Sequence, residues 1–465
     1  SPVQLAVKGE TVPCITKLKV GCEKQCSIPP LSEDKELGEY IRTYVHDKIV
    51  VTSQPVCPPR KRTILDAICG VKGVPFMDPI NLNTAAGYPF NLEGLHSKGS
   101  LITRTNEGKI TFIHPRLIHE YNEQHAIRLK GQRPTVVFSD FLKDERLKPG
   151  KDARLINGAP LPYTIEVRRY FMDFIAALQY HNLKNCIGIG LNMHGPDVSK
   201  LIWKLRAKGD KYICGDYKNF GPQLSPDYVK DFALLANQWY GKYAANNTPE
   251  DDRIRIGLML DGANSFHLVF DHLYEVACGS PSGSPITAPI NSYCNRRNFA
   301  RAWMNITKNL PSYNSLQTFD ELVAMVFYGD DVIACTNDEV ASFFNNLTLS
   351  DYFATIGITY TDATKLGLEE TCSLEKATFL KTNFTRHPTR PGNWLAGLEK
   401  DLIYETPAWI RKSPDPLAAT IENIHAALLN AHGHGPDFYN EFCSDMRKLA
   451  MKYDFSFDAK TWGMV

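Results

Sequence analysis

Carboxylate side chains follow two short apolar segments and are the strongest candidates for chemistry in this sequence. Asp216 ends an apolar run that begins at Lys211, and Asp330 and Asp331 end another that begins at Leu322. Clustered carboxylates repel one another unless cations neutralise them. Hard oxygen ligands favour Mg²⁺ or Mn²⁺ over zinc. A pair of such ions can activate an attacking oxygen and stabilise a leaving one, as phosphoryl or nucleotidyl transfer requires.

Strands of one sheet would have to bring these acids together. The apolar residues on both sides of the Gly-Asp turn at 329–330 predict a β-hairpin with carboxylates at its tip. If the strand that ends at Asp216 lies antiparallel beside this hairpin, the acids become neighbours. The alternative for an isolated Gly-Asp-Asp is a surface turn, since Gly and Asp favour turns by themselves.

Apolar spacing predicts helices around this sheet. A buried helix is expected between Pro162 and Leu183, because apolar and aromatic residues recur there mostly at three- and four-residue steps. Further helices are expected over 226–240 and 291–304, and a pair of packed helices follows residue 386. Repeated prolines predict an irregular, extended region over the first 160 residues.

Length and composition describe a large folded chain. The 465 residues correspond to about three domains, and 43% hydrophobic with 22% charged residues excludes a disordered or fibrous protein. Lysine and arginine number 52 against 51 acidic residues, so any basic surface must be local.

Cysteine spacing and hydropathy indicate a soluble protein from a reducing compartment. The twelve cysteines form no C-x-x-C pair, which predicts free thiols. Cys14, Cys22 and Cys26 lack a matching pair at zinc-finger spacing. No run reaches the ~18 apolar residues that span a bilayer, and no signal peptide is recognisable.

The motifs around the acids resemble, in type and order, those of the viral RNA-dependent RNA polymerases. Tyr328-Gly329-Asp330-Asp331 is similar to the catalytic hairpin of that family, and 214–226 to the strand with the first metal-binding Asp. The stretch 279–291 resembles the glycine-rich loop that enters a helix, although a proline-broken turn is its alternative. The segment Asp-Tyr-Lys-Asn-Phe-Gly-Pro, which begins at Asp216, resembles the corresponding segment in polymerases of insect picorna-like viruses, especially iflaviruses.

Further motifs resemble the picornavirus-like branch, and together they span residues 84 to 384. They are a template-entry motif at 84–89, a basic finger segment at 143–154, a motif ending in Lys365 and a primer-gripping turn at 378–381. The finger segment holds five cations among twelve residues, which suits an anion site. A solvated charged loop is the alternative, because three acids are interleaved with those cations.

The resemblance implies an α+β right-hand polymerase, with fingers, a palm made of an antiparallel sheet with helices, and a small helical thumb. The implied domains are fingers with amino-terminal fingertips at 1–205, palm at 206–231, a fingers insertion at 232–275, palm again at 276–385, and thumb at 386–465.

The resemblance also implies the roles of individual residues. Asp216, Asp330 and Asp331 would bind two Mg²⁺ ions, for which Mn²⁺ can substitute, and Lys365 would protonate the leaving pyrophosphate. These four are the candidate catalytic residues. The implied nucleotide-binding residues are Lys143, Arg154, Ser282, Thr287 and Asn291. The implied RNA-binding residues are Thr84, Gly87, Tyr88, Gly283 and Lys381.

One position departs from the family pattern. Gly221 stands where picornavirus polymerases usually carry a second Asp, five residues after the first. Glycine has no side chain with which to hydrogen-bond a ribose. Sugar selection is therefore expected to rest on Ser282 and Asn291, with Asn219 as a further candidate.

The implied function is replication of a positive-strand RNA genome. Its ligands would be the RNA template, the nascent strand and NTPs, and a small genome-linked protein (VPg) would act as primer. Other viral replication proteins would be partners, and the site of action would be the host cytoplasm, at membrane-associated replication complexes. A DNA-templated or reverse-transcribing palm enzyme is one alternative, which dNTP incorporation would reveal. A catalytically inactive RNA-binding scaffold is the other, and Mg²⁺-dependent primer extension would exclude it.

Overall fold

The computed structural model describes residues 4–7, 10–13, 18, 21–22, 34–105, 107–143, 153–362, 367–410 and 413–465, of which 4–7 and 10–13 are described by backbone alone. The chain forms two compact units. Unit 1 comprises Ser1–Ile189, Asn219–Arg301 and Ile356–Ile358, and unit 2 comprises Gly190–Lys218, Ala302–Thr355 and Thr359–Val465.

The helices are numbered in chain order. They are α1 Lys35–Thr52, α2 Ile64–Cys69, α3 Pro115–Leu129, α4 Leu161–Tyr180, α5 Asn182–Asn185, α6 Asp197–Arg206, α7 Pro226–Tyr243, α8 Pro249–Ala263, α9 Thr287–Ile306, α10 Leu316–Leu322, α11 Asp338–Ala341, α12 Asn346–Thr355, α13 Lys400–Glu405, α14 Pro416–His432 and α15 Pro436–Lys452.

The strands are numbered in the same way. They are β1 Gln4–Val7, β2 Glu10–Pro13, β3 Ile102–Arg104, β4 Ile110–Ile113, β5 Val137–Leu142, β6 Leu155–Gly158, β7 Lys211–Tyr217, β8 Ser265–Val269, β9 His272–Val276, β10 Val323–Tyr328, β11 Asp331–Thr336, β12 Tyr360–Asp362, β13 Thr378–Phe379, β14 Thr382–Arg386 and β15 Trp394–Leu398.

Unit 1 combines a helical core with a four-stranded sheet of order β6-β5-β8-β9. In this sheet β5 and β8 run parallel, whereas the outer pairs are antiparallel. Apolar side chains of α2, α3 and α4 form a common core, to which Ile68, Leu117 and Ile165 belong.

Unit 2 contains an antiparallel sheet of order β10-β11-β7-β12 and a smaller sheet of order β13-β14-β15. The central strands β7 and β11 are almost completely buried, which suits their runs of apolar residues. Helices α13, α14 and α15 bury a separate apolar cluster that includes Ile403, Ile424 and Phe442.

The predicted hairpin and the five predicted helices are confirmed. The hairpin consists of β10 and β11, and the expected helices are α4, α7, α9, α14 and α15. Helix α9 begins at Thr287, four residues earlier than predicted. Pro289 lies in its first turn, where a missing N–H breaks no intrahelical hydrogen bond.

The prediction of an irregular region over residues 1–160 is wrong for two long segments. Helices α1 and α3 have 18 and 15 residues. Ile41, Val45 and Ile49 recur at four-residue steps and are fully buried on one face of α1, and the Asp34 carboxylate accepts a hydrogen bond from Leu37 N–H at its start. No helix in the described ranges is long and apolar enough to cross a membrane.

Candidate active site

The predicted catalytic acids meet at one end of the four-stranded sheet of unit 2. Strand β11 pairs antiparallel with β7, and Val332 lies opposite Gly215. The next position outward places Asp331 beside Asp216. The hairpin closes through the pair Tyr328 and Asp331, and Gly329 takes the positive φ of 66° that the turn needs.

Electrostatics confirm that these acids are close to one another. Burial and the negative charges of Asp330 and Asp216 together raise the pKa of Asp331 to about 6. Lys381, at the turn between β13 and β14, opposes this effect. The site therefore concentrates negative charge that a bound cation would relieve.

The chemistry of this donor set fits Mg²⁺. The side chains offer only carboxylate oxygens, and their mutual repulsion favours a hard divalent cation. In the described part of the chain, no group of three acidic, histidine or cysteine side chains is arranged to hold an ion by itself. Mg²⁺ commonly binds through one or two carboxylates and completes its shell with water and substrate phosphates, so a partial protein shell suits it.

Aromatic packing behind Asp216 supports the strand that carries it. Gly215 faces the ring of Tyr360 on β12 so closely that a Cβ atom at this position would overlap it. The Tyr360 hydroxyl donates a hydrogen bond of 3.1 Å to Asn346 Oδ1, and its ring lies edge-on to Tyr217, with centroids 5.1 Å apart. Because residue 215 is glycine, the Tyr360 ring of the edge strand β12 can pack directly against β7.

Ser282 and Gly283 lie in unit 1 against strand β6. The Asn157 N–H donates to Ser282 Oγ at 3.1 Å, and the Gly283 N–H donates to the Asn157 carbonyl at 3.0 Å. A Cβ atom on Gly283 would overlap that carbonyl oxygen. The glycine is therefore required for the close approach of loop and strand.

Thr287 and Asn291 lie on the first turns of α9. The Thr287 hydroxyl donates to the carbonyls of Pro281 and Ser284, at 2.7 and 3.0 Å, and so ties the loop to the helix. The Asn291 Oδ1 atom is buried and has no hydrogen-bond partner within the described ranges. A Cβ atom on Gly221 would lie 3.9 Å from Asn291 Nδ2. The position of the missing Asp therefore faces the Asn291 amide.

The candidate template-binding residues also lie in unit 1. Gly87 has a φ of 78°, and its Cα approaches the backbone of Ala159 and Pro160 too closely for any side chain. Tyr88 follows it, half-buried. Exposed Thr84 accepts a 2.7 Å hydrogen bond from Lys98 Nζ. The motif thus contacts the residues that immediately follow β6.

Lys143 and Arg154 mark the two ends of the basic finger segment. The Lys143 N–H donates to the Arg154 carbonyl at 2.8 Å, which continues the pairing of β5 with β6. The intervening residues 144–152 lie outside the described residues, and so does Lys365. Both named cations therefore lie opposite each other, at the end of the β5–β6 pairing.

Sequence reasoning missed the residues that hold the loop at 282–283. Asn157 contacts this loop, and Asp140 and His267 contact Asn157. These residue types match no motif, and they come together only through strand pairing. The sole signal was the position of Asn157 three residues after Arg154.

Comparison with known proteins gives consistent matches. The sequence profile of the family described as viral RNA-dependent RNA polymerase matches residues 44–450. The genome polyprotein of Deformed wing virus is 32% identical over 469 residues, which cover 96% of this chain and 16% of the polyprotein. The replicase polyprotein of Cricket paralysis virus is 32% identical over 335 residues, which cover 70% of this chain and 19% of that protein. The chain thus spans less than a fifth of either relative.

A solved structure matches most of the chain. The Sicinivirus 3Dpol RNA dependent RNA polymerase superposes with a TM-score of 0.77 at 20% sequence identity, covering 96% of this chain and 87% of that one. At this identity the likeness shows the fold alone, and it confirms the predicted fold class.

Proposed function

We propose, from the premise that this chain belongs to the family of viral RNA-dependent RNA polymerases, that it replicates a positive-strand RNA genome by nucleotidyl transfer. The substrates would be NTPs and the 3′-hydroxyl of an RNA strand. Family membership, with relatives in insect picorna-like viruses, confirms the predicted recognition and enzyme class. The observation that carries the proposal is the placement of Asp216 beside the Asp330-Asp331 hairpin.

The acid cluster would hold two Mg²⁺ ions, or Mn²⁺ in their place. Asp216 and Asp330 would be the principal ligands and Asp331 a supporting one. Bound there, the ions would make the primer hydroxyl a better nucleophile and neutralise charge on the reacting phosphates. The raised pKa of Asp331 supports this assignment, because the charges that raise it also attract cations.

Other residues would bind and orient the nucleotide. Lys143 and Arg154 would contact its triphosphate, and Ser282, Thr287 and Asn291 would face its ribose. Lys365 would protonate the leaving pyrophosphate as general acid. The template, and not the protein, would select the base, so protein contacts to RNA would be mostly to phosphate and sugar.

Five residues would contact RNA. Thr84, Gly87 and Tyr88 would contact the template strand, Lys381 would contact the primer, and Gly283 would be a further RNA-binding residue. The fingers, palm and thumb would follow the boundaries predicted from the sequence. A small genome-linked protein (VPg) would serve as primer, and the enzyme would act in the host cytoplasm, at membrane-associated replication complexes with other viral proteins.

Primer extension on a primed RNA tests the proposed reaction. Wild-type protein should extend the primer with NTPs and Mg²⁺, and far less with dNTPs. Asp330→Asn removes a charge with little change of shape, so extension should fall by several orders of magnitude while RNA binding persists. Asp331→Asn should be milder, with a shift of preference toward Mn²⁺.

A matched control is Asp351→Asn, which changes an exposed acid on α12 of the same unit. It should extend primers at the wild-type rate. Substantial Mg²⁺-dependent extension by Asp330→Asn would refute the metal assignment, and a wild-type preference for dNTPs would favour the DNA-synthesising alternative.

A further inference from the structure

A row of polar side chains crosses the four-stranded sheet of unit 1. Strand register places His267 opposite Tyr274, and Asp140 opposite Asn157. His267 Nδ1 lies 3.0 Å from Asp140 Oδ1, and Asn157 Nδ2 lies 2.7 Å from the same oxygen. The Tyr274 hydroxyl donates to the other carboxylate oxygen. Asp140 is therefore the centre of the row and is itself completely buried.

Asp140 fixes the orientation of the Asn157 amide. The Asp140 oxygens accept hydrogen bonds from the Tyr274 hydroxyl and from Asn157, so the donor group Nδ2 of Asn157 faces them. The Oδ1 atom then points the opposite way, where it lies 3.3 Å from the Ser282 N–H that donates to it. If the amide were reversed, Asn157 Oδ1 would face the Asp140 carboxylate and Nδ2 would face the Ser282 N–H. Both hydrogen bonds would then be lost, because acceptor would meet acceptor and donor would meet donor.

Asn157 holds the glycine-rich loop at several atoms. Its N–H donates to Ser282 Oγ, its Oδ1 accepts from the Ser282 N–H, and its carbonyl accepts from the Gly283 N–H. The backbone and the side chain of one residue therefore fix both the position and the hydroxyl direction of Ser282. Among these contacts, only the one through Oδ1 depends on the side chain of Asn157 and hence on Asp140.

We propose that Asn157, oriented by Asp140, is a positioning residue that determines sugar selectivity through Ser282. This inference rests on the proposed role of Ser282 at the ribose. A hydroxyl that is already held in place loses less freedom when it binds its ligand. Releasing the loop should therefore lower kcat/KM for a nucleotide that has a 2′-hydroxyl more than kcat/KM for one that lacks it.

A purely structural role for the same network predicts a different result. Loss of a buried hydrogen bond would then lower stability, and would slow incorporation of both sugars by the same factor. The ratio of kcat/KM for UTP to kcat/KM for dUTP separates the two roles, since a uniform loss cancels in it.

The test uses two variants and one control on a primed RNA template. Asn157→Ala removes the Oδ1 acceptor and should lower the UTP to dUTP ratio roughly tenfold, the size expected for one hydrogen bond. Asp140→Asn is the milder change, since it keeps the shape but no longer fixes the amide, and it should lower the ratio less. If Asn157→Ala does not fold, Asp140→Asn alone tests the inference.

The control is Ser265→Ala. It removes the 2.7 Å hydrogen bond between Ser265 Oγ and His267 Nε2, on the side of His267 away from Asn157. Its melting temperature should fall, as in the test variants, while its sugar ratio stays at the wild-type value. An equal fall of the ratio in the control would overturn the inference, because destabilisation alone would then explain it.

The Ser282→Ala variant distinguishes failure of this inference from failure of the proposed function. If Ser282→Ala leaves the ratio unchanged, the ribose role of Ser282 is wrong. If Ser282→Ala lowers the ratio but Asn157→Ala and Asp140→Asn do not, only the positioning role is wrong. If both residues act together, the Asn157→Ala, Ser282→Ala double variant should be no worse than Ser282→Ala alone.

Discussion

Asn291 presents a buried amide oxygen for which the described residues provide no hydrogen-bond partner. An unpaired buried polar atom costs about 1–3 kcal/mol, so such an atom at a nucleotide site is suited to a ligand. The side chain at the neighbouring position 221 is absent, since that residue is glycine. We therefore expect the Asn291 amide to carry a larger share of the proposed sugar contacts than it would beside an Asp at position 221.

Asn291→Ala should narrow the preference for ribose over deoxyribose. Without the amide, the kcat/KM for UTP should fall more than that for dUTP, by roughly ten- to a hundredfold, or about 1.4–2.7 kcal/mol. Single-nucleotide incorporation with Mg²⁺ measures both constants. An unchanged ratio in the Asn291→Ala, Ser282→Ala double variant would show that the sugar is recognised elsewhere.

The sequence was sufficient to predict candidate residues whose side-chain type alone indicates their chemistry, such as the carboxylates. Asp216 and Asp330 end apolar strands, and strand pairing then brings them together as expected. Asn157 could not be predicted in the same way. Its contacts depend on its cross-strand partner Asp140 and on a loop more than a hundred residues away, and neither dependence leaves a local pattern in the sequence.

At the scale of elements, the junction of β7 and β12 determines the position of Asp216, the first of the proposed catalytic acids. Gly215→Ala should destabilise the protein by about 1–3 kcal/mol, because the added methyl group would overlap the buried ring of Tyr360. Primer extension should fall as well, since Asp216 is the next residue. Thermal unfolding and extension rates measure the two effects.

Gly241→Ala provides the matched control for that substitution. Gly241 lies on α7 with open space around its Cα. An alanine there should stabilise the helix by up to about 1 kcal/mol and leave extension unchanged. Equal stability of Gly215→Ala and wild type would mean that the Tyr360 ring moves aside freely.

Helix α1 joins the core of unit 1 through a histidine that resists protonation. Burial, together with the positive charges of Arg297 and Arg42, lowers the pKa of His46 from 6.5 to about 3. Its Nε2 atom lies 2.7 Å from the Tyr293 hydroxyl on α9. The folded state therefore keeps this ring neutral at a pH where the unfolded chain binds a proton.

Stability should fall as the pH drops from 6.5 toward 3, because protons then favour the unfolded chain. At pH 5 this single group accounts for a loss of about 2 kcal/mol. Urea unfolding at pH 7 and pH 5 measures it, and His46→Gln should show a smaller difference between the two conditions. His119→Gln, which changes an exposed histidine, should keep the wild-type difference.

Elements with strong apolar periodicity were predictable, and those defined by long-range packing were less so. Helix α4 is buried nearly all round and its aromatic residues indicated it. Helix α1 has an apolar face, but the repeated prolines of this region suggested a loop. Its stability comes from contacts such as that of His46 with Tyr293, far along the chain.

At the scale of the whole molecule, a net charge of +1 must coexist with the proposed binding to RNA, a polyanion. The proposed RNA contacts would therefore depend on local cations, of which Lys381 is an exposed example beside the acid cluster. Each cation that neutralises a phosphate releases counterions, so affinity should fall steeply with salt despite the balanced composition.

Lys381→Ala should reduce the slope of log affinity against log salt by about 1, if this residue neutralises one phosphate. Fluorescence anisotropy with a primed RNA between 50 and 200 mM NaCl, roughly the range in which such effects are large, measures the slope. Lys448→Ala is the control, because Lys448 already pairs with Asp445 at 2.9 Å. The same slope in wild type and Lys381→Ala would exclude the phosphate contact.

The open space at Gly221 also bears on inhibition of the enzyme. A Cβ atom there would meet only ordinary van der Waals contacts, 3.9 Å from Asn291 Nδ2 and from the Ser280 carbonyl, so the position has room for added atoms. With the ribose placed against Asn291, that room is available to a 2′-O-methyl group on an antiviral nucleotide analogue. We expect the natural enzyme to incorporate 2′-O-methyl-UTP more readily than its Gly221→Asp variant, in which a carboxylate fills the space. A single glycine would thus make this polymerase susceptible to sugar-modified drugs that an Asp at the same position would exclude.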